Sequence, residues 1–168
     1  LTRWIWRFGW WAMHLSPATA RRLSYAEGFL ALGLAAEAAE ELAGVSPLEA
    51  DATPVLRLRL GVETARAAWS AAAELAQRLC EREPRDAGHW IQLAYATRRG
   101  VSLEAAREVL WRGLTLHPRE ATIHFNLACY EAQLGHLDIA RAYLAGAVRL
   151  EPGFAELAKT DPDLAPLR

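Results

Sequence analysis

The chain has 168 residues, 52% of them hydrophobic and 23% charged, which suits one compact domain or a short repeat array and excludes disorder, collagen-like order and a bundle of membrane spans. Its 19 basic residues nearly cancel its 20 acidic ones, for a net charge of -1, so no overall field draws it to nucleic acid or anionic lipid. Cys80 and Cys129 lie outside any CxxC or Cys/His cluster, which argues against a disulfide scaffold and a structural zinc site and fits a reducing, cytoplasmic setting.

Alanine fills about a fifth of the chain and leucine nearly as much, while valine and isoleucine are few, a balance that predicts an all-α fold. Lys159 is the one lysine among many arginines, a bias that fits a GC-rich bacterial source.

In chain order, residues 1–15 are set apart by Trp4, Trp6, Trp10 and Trp11, with Ile5, Phe8, Met13 and Leu15 among them. As a helix this segment is apolar nearly all round, with Arg3, Arg7 and His14 on a narrow polar stripe, so it must bury itself. It falls short of the roughly 20 apolar residues of a bilayer span and has no small-residue cleavage site after an uninterrupted apolar run. Three readings stay open. It packs on the rest of the chain, it lies in a membrane interface where Trp and Arg are favoured, or it is a fragment edge or misassigned start, as Leu1 in place of Met permits.

Ser16 and Pro17 start the first helix proper, and Gly44 to Thr53 makes a looser link after it and its partner. Thr53 and Pro54 then form an N-cap and first-turn pair. The run Val55 to Leu60 alternates with period two, a strand template, but no partner strand or hairpin turn is nearby, so helix is expected. In the last part of the chain, Leu127, Ala128 and Glu131 belong to a helix broken at Gly135, where glycine supplies a left-handed cap. A second helix is predicted over 137–150, with Ala140, Tyr143, Leu144 and Ala147 on one face. Small Ala128 and Ala140 let the two helices approach while Leu127, Leu144 and Leu150 fill the space around them. Residues 153–159 form a short closing helix, with Phe154 and Leu157 covering the open end; Asp161-Pro162-Asp163-Leu164 stops it and folds Leu164 and Leu167 back on the surface.

These elements repeat. Pro84, Pro118 and Pro152 lie 34 apart, each after a stretch of helical spacing that it ends, and Ala38, Ala72, Ala106 and Ala140 share the same interval. The gaps between Ala128, Gly135 and Ala140 recur between Ala26, Gly33 and Ala38. A 34-residue helix-turn-helix unit carrying Trp90, Leu93, Ala94, Ala106, Gly113 and Pro118, and again Leu127, Ala128, Gly135, Ala140, Ala147 and Pro152, resembles the tetratricopeptide repeat. The resemblance implies a right-handed superhelical array of about four units, 19–52, 53–86, 87–120 and 121–154, with a Trp-rich segment 1–18 before it and a cap and tail 155–168 after it. The second copy departs from the pattern, with Arg59 and Leu60 where the family prefers a large apolar and a small residue, and is expected to be the most distorted.

The resemblance also implies a concave groove, lined by the first helices of successive units, that receives an extended peptide or a partner helix. Its lining would be Ile91, Gln92, Tyr95, Arg98 and Arg99 from the third copy and Phe125, Asn126, Cys129 and Gln133 from the fourth, with Arg57 and Thr64 extending it into the second. That surface is amphipathic and mildly basic, suited to a peptide with one or two carboxylates and an apolar anchor. A competing reading makes Tyr95 and Phe125 inter-repeat core and the arginines a solvated face. A subset of the family clamps chaperone C-termini with Lys and Asn. Asn126 matches one of those places, but Gly88 and Thr122 stand where basic residues are needed.

No HExxH pair, glycine-rich phosphate loop or GxSxG elbow is present, so no catalytic residue, metal site or cofactor is expected. His89 and His124 fall in first helical turns as surface or inter-repeat residues, Cys129 reads as a small buried hydrophobe, and Glu81 and Glu83 read as solvated charges. The expected function is a non-catalytic scaffold for a protein or peptide partner. The alternatives are a chaperone for a secreted translocator protein and the accessory repeat region of a larger enzyme.

Overall fold

The computed structural model describes residues 15–168, and every regular element among them is helical. The expectations for the tryptophan-rich residues 1–14 lie outside the described residues. The chain divides into two units, one through Ala68 and one from Trp69, so the division falls inside the second copy of the repeat.

The first unit holds α1 (Pro17–Ala31), α2 (Ala35–Ala43) and α3 (Thr53–Ala65). Helix α1 begins where Ser16 and Pro17 predict it, and the Ser16 hydroxyl accepts from the Thr19 N–H at 3.3 Å. Leu23 and Ala26 of α1, Ala38 and Leu42 of α2, and Val55 and Val62 of α3 share one core. Helix α3 answers the strand-like alternation. Val55 and Leu56 are neighbours in sequence and both fully buried, which a strand with one buried face cannot provide. Its start differs by one residue, because Ala52 is the N-cap and Thr53 lies inside the first turn without capping it.

The link between α2 and α3 is made of turns and is tied down by Glu49. Its carboxylate accepts from the Ser16 N–H, from the Ser16 hydroxyl at 2.9 Å and from the Thr19 hydroxyl. Chiefly the Thr19 hydroxyl, and then Ser16, hold this carboxyl below the usual range. A carboxylate with a lowered folded pKa stabilises above its unfolded pKa and loses that contribution as pH falls through the folded value. Amide exchange in the first turn of α1 is therefore expected to accelerate, beyond its intrinsic pH dependence, as the solution is acidified through the carboxylate range. Glu49→Gln should exchange fast throughout, with that extra step gone. An unchanged step in the variant would remove Glu49 as its cause.

The second unit holds α4 (Trp69–Arg82), α5 (Ala87–Gly100), α6 (Leu103–Leu116), α7 (Ala121–Gln133), α8 (Leu137–Leu150) and α9 (Phe154–Thr160), followed by a 3-10 segment, Pro162–Leu167. Helix α8 has the predicted bounds. Helices α4, α6 and α8 each stop two residues before Pro84, Pro118 and Pro152. The proline carbonyls are then reused: Trp90 Nε1 donates to the Pro84 oxygen at 3.3 Å, and His124 Nε2, 34 residues on, meets the Pro118 oxygen at 3.0 Å. His124 thus joins the interhelix turn, as the inter-repeat reading allowed.

Sequential helices pack as hairpins, α4 on α5, α5 on α6, α6 on α7 and α7 on α8. The alanine series Ala38, Ala72, Ala106 and Ala140 is 0% exposed in all four copies, so the periodic position is a site of close helix approach. At Gly113 the approach is closer still, since a Cβ there would stand 2.9 Å from Trp90 Cβ.

Residues 33, 67, 101 and 135 also lie 34 apart, and the turns there take different conformations. Gly33 and Gly135 take left-handed φ values of 78° and 82°, and Ala67 takes the same kind of conformation at 55°. In the third copy α5 runs on to Gly100, and Val101 has φ −127° instead. Ala67 is exposed and bears a Cβ that this region disfavours by about 1–2 kcal/mol, part of which glycine returns as unfolded-state entropy. Ala67→Gly is expected to stabilise by about 0.5–1 kcal/mol in urea denaturation. A loss of stability would mean that the turn is not held in this conformation.

Candidate functional site

The predicted groove positions of the third and fourth copies fall on α5 and α7, both within the second unit, while Arg57 is half-buried on α3 in the first. On α5, Tyr95 is 45% exposed and meets the Trp69 ring edge-on at 5.7 Å. Arg99 lies over the same indole, 5.1 Å from its centre. Together they form an aromatic and cationic cluster open to solvent. Ile91, Gln92 and Asn126 are half-buried, and Thr97, on the other side of α5, is buried with its hydroxyl donating to the Leu93 carbonyl at 2.7 Å.

The other predicted residues are engaged by the chain itself. Arg98 donates to both carboxylate oxygens of Asp163, at 2.5 and 3.0 Å, and its guanidinium stands 5.2 Å from the centre of the Tyr130 ring. The hydrogen bonds to Asp163 raise the Arg98 pKa further above its ordinary value. Gln133 donates to the Asp163 carbonyl at 2.8 Å, so α5 and α7 converge on one residue of the 3-10 segment. Phe125 is buried and stacks on Phe154 of α9 with centres 4.7 Å apart. That is the core reading for Phe125, whereas Tyr95 follows the surface reading.

The closing segment therefore does more than end the array. Leu164 is 1% exposed, buried against the fold, while Leu157, expected to cover the open end, is 48% exposed. The segment packs chiefly on α7 and is capped by Asp161, whose carboxylate accepts from the Asp163 N–H at 2.9 Å. Sequence reasoning missed Trp69, Tyr130 and Asp163 as parts of this face. Asp161-Pro162-Asp163-Leu164 was the available signal, an acidic pair beside a leucine at a helix end.

Both cysteines are free and buried, and burial pushes each thiol up to about 12, so Cys129 is an inert hydrophobe. Two groups bring potential metal donors together, Glu83 with Asp86 and His89, and Cys129 with Asp161 and Asp163. In the first, His89 is buried and its Nε2 lies 3.1 Å from Glu83, which is thus a loop tie and not the solvated charge expected. In the second the thiol stays protonated and Asp163 is taken by Arg98. Among the described residues no helix is long and apolar enough to cross a membrane.

A unit of helical hairpins with small residues at 34-residue intervals defines a helical repeat protein. Comparison with solved structures shows which kind. The chain resembles the double mutant of MamA RS-1 with a TM-score of 0.72 at 18% identity, covering 85% of this chain and 80% of that one. It resembles TTC0263, a thermophilic TPR protein of Thermus thermophilus, with a TM-score of 0.65 at 23% identity over 89% and 86% of the two chains. YrrB, described as a TPR protein with an unusual peptide-binding site, follows with 0.62 at 13% identity over 87% and 80%. No family model and no curated protein matches the sequence. The chain has the tetratricopeptide-repeat fold.

Proposed function

We propose that the chain is a non-catalytic interaction module that holds a peptide or helix of a protein partner against the faces of α5 and α7. The observation that carries this reading is the open cluster of Tyr95 and Arg99 on α5 with Trp69 at the start of α4, in a chain with the tetratricopeptide-repeat fold. An exposed aromatic beside a guanidinium suits an apolar anchor next to a carboxylate, and such aromatic and arginine groups dominate binding energy when covered. Ile91, Gln92 and Asn126 complete the lining here. The peptide-binding site named for YrrB adds support by analogy of fold alone. No nucleic acid, metal or cofactor enters this reading.

The test is a display library of short peptides carrying Asp or Glu beside an aromatic or leucine, with the selected sequences titrated by fluorescence anisotropy. Tyr95→Ala and Arg99→Gln are each expected to weaken the selected peptides about tenfold, as central interface residues do. Both side chains are at the surface, so the helices remain. Selected peptides that bind both variants unchanged would place binding elsewhere.

A further inference from the structure

The α5 and α7 face is contacted by a segment of this chain that is itself built like a short peptide ligand. Residues 161–164 read Asp-Pro-Asp-Leu. Asp163 presents its carboxylate to the fork of Arg98 and its carbonyl to Gln133, and the next residue, Leu164, is buried at 1% exposure. One carboxylate in a bidentate arginine clamp, one backbone oxygen fixed by an amide and one apolar anchor make the set of contacts by which a groove recognises a short acidic peptide. A simple helical cap needs only the apolar part of this set. The neighbouring turn is closed locally through Asp161, and Arg168 donates to the Lys159 carbonyl at 2.6 Å, so the backbone of the segment is also self-supporting.

The ion pair is half-open to solvent, with side chains 30% and 27% exposed for Arg98 and Asp163, so it is an exchangeable contact and not a sealed one. We propose that this face is a docking site for a partner segment in which an aspartate precedes a leucine, and that residues 161–164 occupy it as a displaceable internal stand-in. This inference rests on the groove reading above and adds to it the chemistry of the ligand and a competitor held in place. A tethered competitor acts at a high effective concentration, on the order of millimolar for a short link, so a free segment binds the resting protein weakly. A partner that also engages Tyr95, Trp69 and Arg99 gains the contacts needed to displace it.

The experiment uses the full chain and a labelled peptide with the sequence of residues 159–168, followed by anisotropy. Wild type, Asp163→Asn and Leu164→Ala are compared, each with and without Arg98→Gln, after circular dichroism has checked the helices. The peptide is expected to bind Asp163→Asn and Leu164→Ala at least about tenfold more tightly than wild type, and to lose that gain when Arg98→Gln is added. Leu164→Ala removes a buried side chain; Asp163→Asn, at a half-open position, keeps the test sound if the former fails to fold. Equal binding to wild type and variants, or binding indifferent to Arg98, overturns the inference. A variant that takes the library-selected peptides of the preceding test but refuses this one overturns the ligand class and leaves the groove reading standing. Refusal of both kinds overturns both.

Discussion

Replacing Glu131 by alanine is expected to destabilise the protein by about 3 kcal/mol, a fall in melting temperature of roughly 6–12 °C for a chain of this size. Glu131 is the one buried acidic residue in the core of the described residues, 0% exposed on α7. One of its oxygens meets His136 Nδ1 at 2.7 Å, across the turn that Gly135 makes, and lies 3.8 Å from Arg107 on α6. Three elements are thus joined at one carboxylate. Removing it leaves Arg107 without that partner and opens a hole beside α7, the two terms that make broken buried pairs costly. The low end of the usual range is expected because Arg107 keeps Glu108 at 3.3 Å and the Trp111 ring at 4.5 Å. Burial of charge also costs desolvation, so the pair as a whole is worth less than its rupture. The double replacement Arg107→Met with Glu131→Leu should therefore cost less than Glu131→Ala alone. Urea denaturation of the three variants decides it. A loss below about 1 kcal/mol for Glu131→Ala would show that His136 and Arg107 do not draw on this carboxylate.

Legibility followed period and failed where single residues depart from it. Three prolines at one interval located three helix ends, because proline acts on its own backbone and needs no tertiary information. Gly135 announced its left-handed turn for the same reason, but Ala67 did not, since nothing about an alanine signals a positive φ. The strand-like run in α3 was resolved by the Thr53-Pro54 start, by the absence of a partner strand and by four Leu or Val among its six residues. Its adjacent buried residues belong to a helix packed on two sides, which periodicity alone does not separate from a strand. At the candidate site, helical spacing placed Tyr95 and Arg98 on adjacent positions of one helix, yet one is open and the other clamped. That difference comes from Asp163, 65 residues away, and no local pattern carries it. Phe125 and Cys129 went to the interior for a related reason: the closing segment covers α7, so positions that would line an open groove become core.

Leucine at Ala140 or Ala106 is expected to cost about 1–3 kcal/mol, with the melting temperature lowered by roughly 2–12 °C. The alanine at this place in the unit is wholly buried in every copy. A methyl group at a close helix crossing leaves no room for three more carbons. The hairpin must then splay, or the leucine must leave its preferred rotamer. The apolar area gained acts in the other direction, at about 25 cal/mol per Å², but only if the side chain finds space to be buried. In α8 the comparison can be made on one helix. Ala142, two residues from Ala140, is exposed, and Ala142→Leu should leave stability within about 0.5 kcal/mol of wild type. Loss at 140 without loss at 142 would identify the cost as steric and not as a change in helix propensity, which is nearly the same for both replacements. If Ala106→Leu behaves as Ala140→Leu does, the 34-residue alanine is a packing constraint common to the units and not an accident of an alanine-rich chain. If neither variant melts lower, α5 with α6 and α7 with α8 do not meet through these residues, and the small-residue period has another origin.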